Sequence, residues 1–264
     1  MIPLRDDIPS RRPPLMNYAI IAFTSLVFLL QLGLGRDEDR KVEEKFGMIP
    51  LRVLHPHQKM TVTELVQIRG RVYEREREIV ASPIPNWLTL LTCIFLHGGW
   101  LHFLGNMWFL FIFGDNVEDR LGRGLYLLFY VLSGVAASFV HLITNTGSGI
   151  PTVGASGAIA GVMGAYFVLF PHARVLSIVP LFVFVQVVNL PASLFLGIWF
   201  VIQFFQGTLA ITSSETGGVA WWAHIGGFAV GFLVGWLFKQ RPAYEVDQPA
   251  TYRQSSKTMD WDEF

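Results

Sequence analysis

Three places in the sequence carry polar side chains that could act together on an acyl bond. Ser156 offers a hydroxyl, His224 an imidazole that could take its proton, and His102 with Asn106 offer donors for an oxyanion. A serine hydroxyl is too weakly acidic to attack a carbonyl unaided, so the histidine would act first as base and then as acid toward the leaving amine. These residue types predict a Ser-His dyad.

Each of these places also has a simpler explanation when taken alone. Ser156 lies among glycines and alanines, which let helices pack closely. His224 could simply bond a carbonyl, and His102 and Asn106, spaced i,i+4 on one helix face, could join two helices. We find no acidic residue placed to orient the imidazole. We therefore predict that packing and backbone contacts hold the imidazole ring in place. The acidic residues at the end of the second span are expected to be solvated; they are Asp115, Glu118 and Asp119.

The elements that must position these residues are apolar helices. The chain is 52% hydrophobic and 15% charged, against about 25% charged residues in soluble domains. Of its 40 charges, 19 fall in residues 36–86 and only seven in residues 87–238. Runs long or apolar enough for membrane helices occupy 15–34, 100–117, 125–143, 155–169, 191–205 and 221–238. The sequence thus predicts an all-α integral membrane protein with six transmembrane helices.

The fourth run is unusually short. Residues 155–169 would form about 22 Å of helix, against about 30 Å of hydrocarbon. The helix must then begin below the membrane surface, where only protein or a water-filled cavity can satisfy its free amides. We therefore expect a short, buried fourth helix and a cavity at Ser156. In the last run, Gly227, Gly231 and Gly235 share the face of His224, which predicts a close approach of another helix there.

The segments outside these runs complete the predicted organisation. Residues 1–14 form an N-terminal tail, 15–240 a membrane domain with a first loop at 36–99, and 241–264 a polar C-terminal tail. Arginines after the second and fourth spans predict cytoplasmic termini. Residues 61–80 are interpreted as a partly charged helix lying at the interface. The apolar stretch 172–190 is expected to lie at the interface or on the bundle rather than to cross as a seventh helix.

The composition and motifs disfavour other classes of function. Lysines and arginines balance acidic residues to a net charge of zero, so we expect no nucleic-acid partner. No zinc-binding His-Glu-x-x-His motif, pair of membrane aspartates or phosphate-binding glycine loop is present, and we expect neither metal nor cofactor. The expected partners are the lipid bilayer and transmembrane protein substrates.

Three motifs together resemble the rhomboid family of intramembrane serine proteases. They are HGGWLHFLGNM at 97–107, GASG at 154–157 and AHIGG at 223–227, and they occur in the family's order. The resemblance covers about residues 15–238 and implies a six-helix bundle. It also implies that Ser156 is the nucleophile and His224 the base, with His102, Asn106 and the Ser156 amide forming the oxyanion hole. Some members carry an aromatic residue one turn after the serine; here that residue is Ala160.

The resemblance implies a serine endopeptidase that cuts membrane proteins in or near unstable transmembrane helices. The expected location is a prokaryotic cytoplasmic membrane. The alternative is a non-proteolytic rhomboid relative that binds or chaperones membrane helices. Such relatives typically lack the nucleophile or the base, and this chain keeps both. A transporter or channel is disfavoured because no charged residue lies at mid-membrane and no repeat is visible.

Overall fold

The chain is mostly helical, with one strand near its start and two strand pairs between helices. The computed structural model describes residues 1–68, 71–181, 184–212 and 220–239. The predicted polar tail at 241–264 lies outside these residues. The described elements are β1 Ile2–Asp6, α1 Leu15–Gly33, α2 Arg36–Phe46, α3 Pro50–Leu54, β2 Thr61–Ile68, β3 Arg71–Glu78, α4 Thr89–Thr92, α5 Trp100–Leu121, α6 Arg123–Thr144, α7 Ser156–Leu169, β4 Arg174–Leu181, β5 Phe184–Pro191, α8 Ala192–Thr212 and α9 Trp221–Lys239.

The predicted helical membrane bundle is confirmed. Among the described residues, α1, α6, α8 and α9 are each long and apolar enough to cross a bilayer. A fifth segment passes the same test when α5 is joined to the helical segment Asn86–Phe95, from which it is bent by 78°. Each of the six predicted apolar runs corresponds to a helix, although the fourth, α7, is shorter than the five segments that pass this test. Their ends differ by several residues, because α5 and α8 continue beyond the last strongly apolar turn.

The fourth membrane helix, α7, is short and buried, as predicted. It has 14 residues, and its residues 157–166 are all buried. It packs most closely against α9, where a Cβ placed on Gly231 would overlap the carbonyl oxygen of Gly161, and one on Gly227 would overlap that of Gly157. This confirms the close approach expected from the glycines of the last span. Glycine is required because the two backbones touch.

A small sheet is present where the sequence predicted only an interfacial stretch. Strands β4 and β5 form an antiparallel hairpin with Arg174 opposite Pro191, and β1 adds to β4 with Ile2 opposite Ile178. The stretch 172–190 is therefore not a seventh membrane helix. The interruption by Pro180 disfavours a helix, and the abundance of valine together with phenylalanine favours strands.

The predicted interfacial helix at 61–80 is wrong. Strands β2 and β3 form a second antiparallel hairpin, in which Thr61 lies opposite Glu78 and Ile68 opposite Arg71. The β-branched residues at 61–63 and the strict alternation of charges at 74–78 suit a strand, whose side chains point to opposite faces in turn.

Glu44 of α2 anchors this hairpin to the rest of the first loop. Arg77 donates to both of its carboxylate oxygens, at 2.9 and 2.5 Å, and the Val80 amide donates at 2.9 Å. Burial alone would raise the pKa of Glu44, but these hydrogen bonds hold the pKa below its ordinary value. The charged run that contains Arg77 is therefore not simply solvated.

The acidic group at the end of α5 also differs from its predicted solvated state. Glu118 is 3% exposed, and its carboxylate accepts hydrogen bonds from the backbone amides of Met16 at 3.1 Å and Asn17 at 2.7 Å. These amides belong to the first turn of α1, where backbone donors have no partner within the helix. A carboxylate is favourable there because of the partial positive charge of a helix N-terminus. Glu118 thus ties the start of α1 to α5.

Candidate active site

The hydroxyl of Ser156 and the imidazole of His224 are in direct hydrogen-bond contact. Ser156 is the first residue of α7 and His224 lies in the first turn of α9, and the distance from Oγ to Nε2 is 2.8 Å. Between Ala155 and Tyr166, Ser156 is the one residue that is not fully buried, whereas His224 is only 7% exposed. This geometry suits proton transfer from a reachable hydroxyl to a shielded base.

Side chains from α8 hold the other side of the imidazole. Gln203 Oε1 lies 2.6 Å from His224 Nδ1, and the ring of Trp199 lies 5.8 Å from the imidazole, centroid to centroid, at 36°. Trp221 meets the ring edge-on at 6.2 Å. Ala160 is fully buried and supplies no ring. The prediction that packing and backbone contacts hold the imidazole was thus incomplete, because a side-chain amide also holds it.

His102 lies beside Ser156, across Gly154. A Cβ on Gly154 would lie 2.6 Å from His102 Nε2 and 3.7 Å from Ser156 Oγ. Gly154 also has a φ of +131°, a conformation that residues with side chains rarely adopt. Both the backbone conformation and the space therefore require glycine. The His102 side chain is exposed, so this side of the Ser156 hydroxyl opens outward.

Asn106 lies one turn after His102 on α5 and is 8% exposed. Its amide nitrogen Nδ2 is buried and has no hydrogen-bond partner among the residues that the structure describes. An unpaired buried donor is costly, so it is a group that a ligand oxygen would stabilise. No hydrogen bond joins Asn106 to Ser156 or His224. The structure therefore brings Ser156, His224 and His102 together. Asn106 lies one turn further along α5, with no hydrogen-bond partner for its amide nitrogen among the described residues.

A comparison with known families decides which family the chain belongs to. A rhomboid domain model matches residues 85–241, which include α5 to α9 and every residue of the Ser156 site. The chain belongs to the rhomboid family. Its multi-pass membrane character follows from the family together with the apolar helices.

The rhomboid relatives come from several kinds of organism. The chain is 31% identical over 160 residues to RHOMBOID-like protein 5 of Arabidopsis thaliana, covering 61% of this chain and 47% of that protein. It is 29% identical over 169 residues to the mitochondrial Rhomboid protein 1 of Saccharomyces cerevisiae (62% and 44%). It is 31% identical over 146 residues to the Rhomboid protease GluP of Bacillus subtilis (52% and 28%).

The chain therefore spans about half or less of the length of these three relatives. Because plant, mitochondrial and bacterial proteins are all among them, the relatives do not favour the predicted prokaryotic membrane over an organelle membrane. The family match begins at residue 85, so the predicted domain start at residue 15 stays a prediction.

Within the described residues, no three His, Cys, Asp or Glu side chains come together in a way that could hold a metal ion. Nor does any described acidic side chain hydrogen-bond to the His224 ring. The absence of a metal and of a cofactor from the reaction stays a prediction.

Gln203 and Trp199 were not predicted from the sequence. Both are spaced i,i+4 and so share one face of α8, which faces His224. A polar side chain in the middle of an apolar membrane helix was the available signal, because such groups are costly and are usually paired. Which partner it would meet depended on the packing of α8 against α9.

Glu43 of α2 lies close to the loop that carries His97. A Cβ on Gly98 would lie 3.7 Å from its carboxylate Oε1, and no described side chain pairs with it. Burial, together with the nearby charges of Asp39 and Glu44, raises the pKa of Glu43 to about 7. The carboxyl group is therefore protonated more readily in the folded protein than in the unfolded one.

We expect Glu43→Gln to stabilise the protein at pH 8 but not at pH 4. A raised carboxyl pKa costs stability as the pH rises above its ordinary value of 4.5, and the whole cost is present above about 7. The expected gain at pH 8 is on the order of 1–3 kcal/mol. Thermal unfolding in detergent at the two pH values measures it, with the exposed Glu38→Gln as control. An equal effect of Glu43→Gln at both pH values would contradict the prediction.

Proposed function

We propose that this rhomboid protein is an intramembrane serine endopeptidase that hydrolyses peptide bonds in or near transmembrane helices of other membrane proteins. The observation that carries the proposal is the 2.8 Å contact between Ser156 Oγ and His224 Nε2 inside a helical membrane bundle. A hydroxyl that donates to an unprotonated imidazole nitrogen is the starting arrangement for nucleophilic catalysis. The names of two Bacillus subtilis relatives, Rhomboid protease GluP and Putative rhomboid protease YdcA, agree with this class of activity.

In the first half-reaction Ser156 Oγ attacks the carbonyl carbon of the scissile peptide bond while His224 Nε2 takes the hydroxyl proton. The tetrahedral intermediate carries its negative charge on the former carbonyl oxygen. When it collapses, the C–N bond breaks and His224 returns the proton to the leaving amine. The product is an acyl ester on Ser156. In the second half-reaction His224 takes a proton from water, which attacks the ester carbonyl carbon; the C–Oγ bond then breaks, His224 returns the proton to Ser156 Oγ, and the carboxylic acid product leaves.

The oxyanion would be stabilised by donors around the start of α7. The proposed donors are His102 Nε2, which lies beside Gly154, the Ser156 backbone amide, and Asn106 Nδ2, which has no partner among the described residues. The first amides of a helix have no partner within it and so remain available to bind an anion. Such preorganised donors typically contribute about 10²- to 10³-fold each to the rate.

The proposed substrate segment must leave its helical conformation before it reacts. A peptide bond inside a helix is shielded, whereas an extended segment can present its carbonyl to Ser156. The outward opening beside the exposed His102 gives such a segment a route to the hydroxyl. No metal or cofactor takes part in the proposed reaction.

Labelling by a fluorophosphonate tests the activated hydroxyl without a known substrate. We expect the wild type in detergent to label covalently and Ser156→Ala to remain unlabelled. Ser25→Ala is the matched control, since Ser25 lies on α1 and its hydroxyl donates to the Ile21 carbonyl at 2.7 Å. It should label like the wild type.

If the folded wild type fails to label, the proposal of protease activity is wrong. The remaining reading is then the non-proteolytic one, in which the protein binds or chaperones membrane helices. Folding is checked by a cooperative thermal transition of the same sample.

A further inference from the structure

We propose that Gln203 is a positioning residue that fixes the tautomer and orientation of His224. This inference rests on the proposed function of the Ser156–His224 pair and adds a third member to it. In the described part of the chain the imidazole has two hydrogen-bond partners, one on each nitrogen: Ser156 at Nε2 and Gln203 at Nδ1.

The chemistry of the two partners determines where the proton of the neutral imidazole lies. The Gln203 atom that faces the ring is the carbonyl oxygen Oε1, 2.6 Å from Nδ1, and a carbonyl oxygen can only accept. Nδ1 must therefore carry the proton, and Nε2 is left with a lone pair. That lone pair is what a general base needs in order to take the proton from Ser156. The opposite tautomer would present an N–H to the hydroxyl and could not act as a base.

The contact is shielded from water. Gln203 is 6% exposed and His224 is 7% exposed, so solvent offers no replacement acceptor for Nδ1–H. A buried donor without an acceptor is unfavourable, and the imidazole would then move its proton to Nε2 or rotate away from Ser156. Gln203 accepts the Nδ1–H hydrogen bond and so orients the imidazole, the role that a carboxylate has in a catalytic triad. It does this without placing a charge inside the bundle.

The position of Gln203 on α8 is itself well determined. Trp199, Gln203 and Gly207 follow at intervals of four residues and form one face of the helix. Trp199 packs on the imidazole, and the Gly207 carbonyl accepts a hydrogen bond from Trp222 Nε1 of α9 at 3.1 Å. A Cβ on Gly207 would lie 3.2 Å from the Cβ of Trp221. Contacts above and below Gln203 therefore hold its amide against His224.

Two substitutions with opposite chemistry separate a positioning role from a packing role. Gln203→Met keeps the length and volume of the side chain but removes the strong acceptor. Gln203→Glu keeps an acceptor oxygen whether or not the carboxyl group is ionised. A positioning role predicts that Glu is tolerated better than Met, whereas a packing role in an apolar bundle predicts that Met is tolerated better than Glu.

We expect Gln203→Met to lower the second-order rate constant of fluorophosphonate labelling by about 10- to 100-fold, by analogy with the loss seen when the hydrogen-bonded partner of a metal-bound histidine is removed. With a cleavable substrate, kcat should fall by a similar factor with KM changed less than about twofold, because Gln203 touches the base and not the substrate. Gln203→Glu should stay within a few-fold of the wild type. The matched control is Gln206→Met, the same change on the exposed face of α8, which should have no effect.

A readout that does not depend on activity tests the tautomer directly. In ¹⁵N-histidine NMR spectra of Ser156→Ala, the proton of the His224 ring should lie on Nδ1, and adding Gln203→Met should shift it toward Nε2. Labelling of Gln203→Met at the wild-type rate, or a wild-type-like tautomer in that variant, would overturn the inference. The two proposals can fail separately. If the folded wild type does not label, the proposed protease function fails. If the proton of His224 then still lies on Nδ1 with Gln203 and leaves it with Gln203→Met, the positioning role of Gln203 stands.

Discussion

Replacing His224 with alanine is expected to slow cleavage of a reconstituted membrane-helix substrate by about 10²- to 10⁴-fold, the contribution typical of a positioned general base. Ser156→Ala should reduce cleavage to background, since no other described hydroxyl contacts the His224 ring. The reason is chemical: an alkoxide does not form at neutral pH without a base, and an imidazole has nothing to activate without the hydroxyl. Cleavage rates in proteoliposomes measure both effects.

The double variant gives the sharper test. Groups that act as a unit are strongly non-additive, so Ser156→Ala combined with His224→Ala should be no slower than Ser156→Ala alone. His172→Ala serves as the matched control, because His172 is an exposed histidine in the turn after α7. Cleavage by all these variants at the wild-type rate would rule out the dyad. Residual cleavage by Ser156→Ala that falls further in the double variant would show that the two residues act separately.

Gly231→Ala is expected to lower both stability and activity. The added Cβ would overlap the carbonyl oxygen of Gly161, which is backbone and cannot rotate away, so α9 must move from α7. Overpacking of this kind typically costs about 1–3 kcal/mol. Because Ser156 and His224 lie on these two helices, their separation also lengthens the 2.8 Å hydrogen bond between them. Thermal unfolding in detergent and the fluorophosphonate labelling rate measure the two effects.

Gly124→Ala is the matched control for that substitution. Gly124 lies in the first turn of α6, and a Cβ there would meet nothing within 4 Å. Alanine is a better helix former than glycine by up to about 1 kcal/mol, so the control should leave stability unchanged or raise it. The two glycine-to-alanine changes should therefore have opposite signs. Equal effects would mean that the close approach of α7 and α9 does not limit stability.

The helical bundle was predictable because its signal is local. A run of apolar residues without charge identifies a membrane helix, and the shortness of α7 and the glycine face of α9 could be read from spacing alone. The same local rules placed Ser156 and His224 in two separate spans as isolated polar groups. They did not predict the addition of β1 to β4, because that pairing joins segments far apart along the chain. The two hairpins pair neighbouring segments, and the β-branched residues that favour strands there were a local signal that was not used.

Amino-acid order by itself determined which side chains are available for chemistry and that each lies in an apolar helix, since residue type and helical period are local properties. Tertiary structure alone decided which of them meet. The 2.8 Å contact of Ser156 with His224 depends on α7 and α9 touching through their glycines. The acceptor for His224 Nδ1 comes from α8 and is an amide, Gln203. A hydrogen bond between helices depends on their relative position and rotation, which the packing of the whole bundle sets.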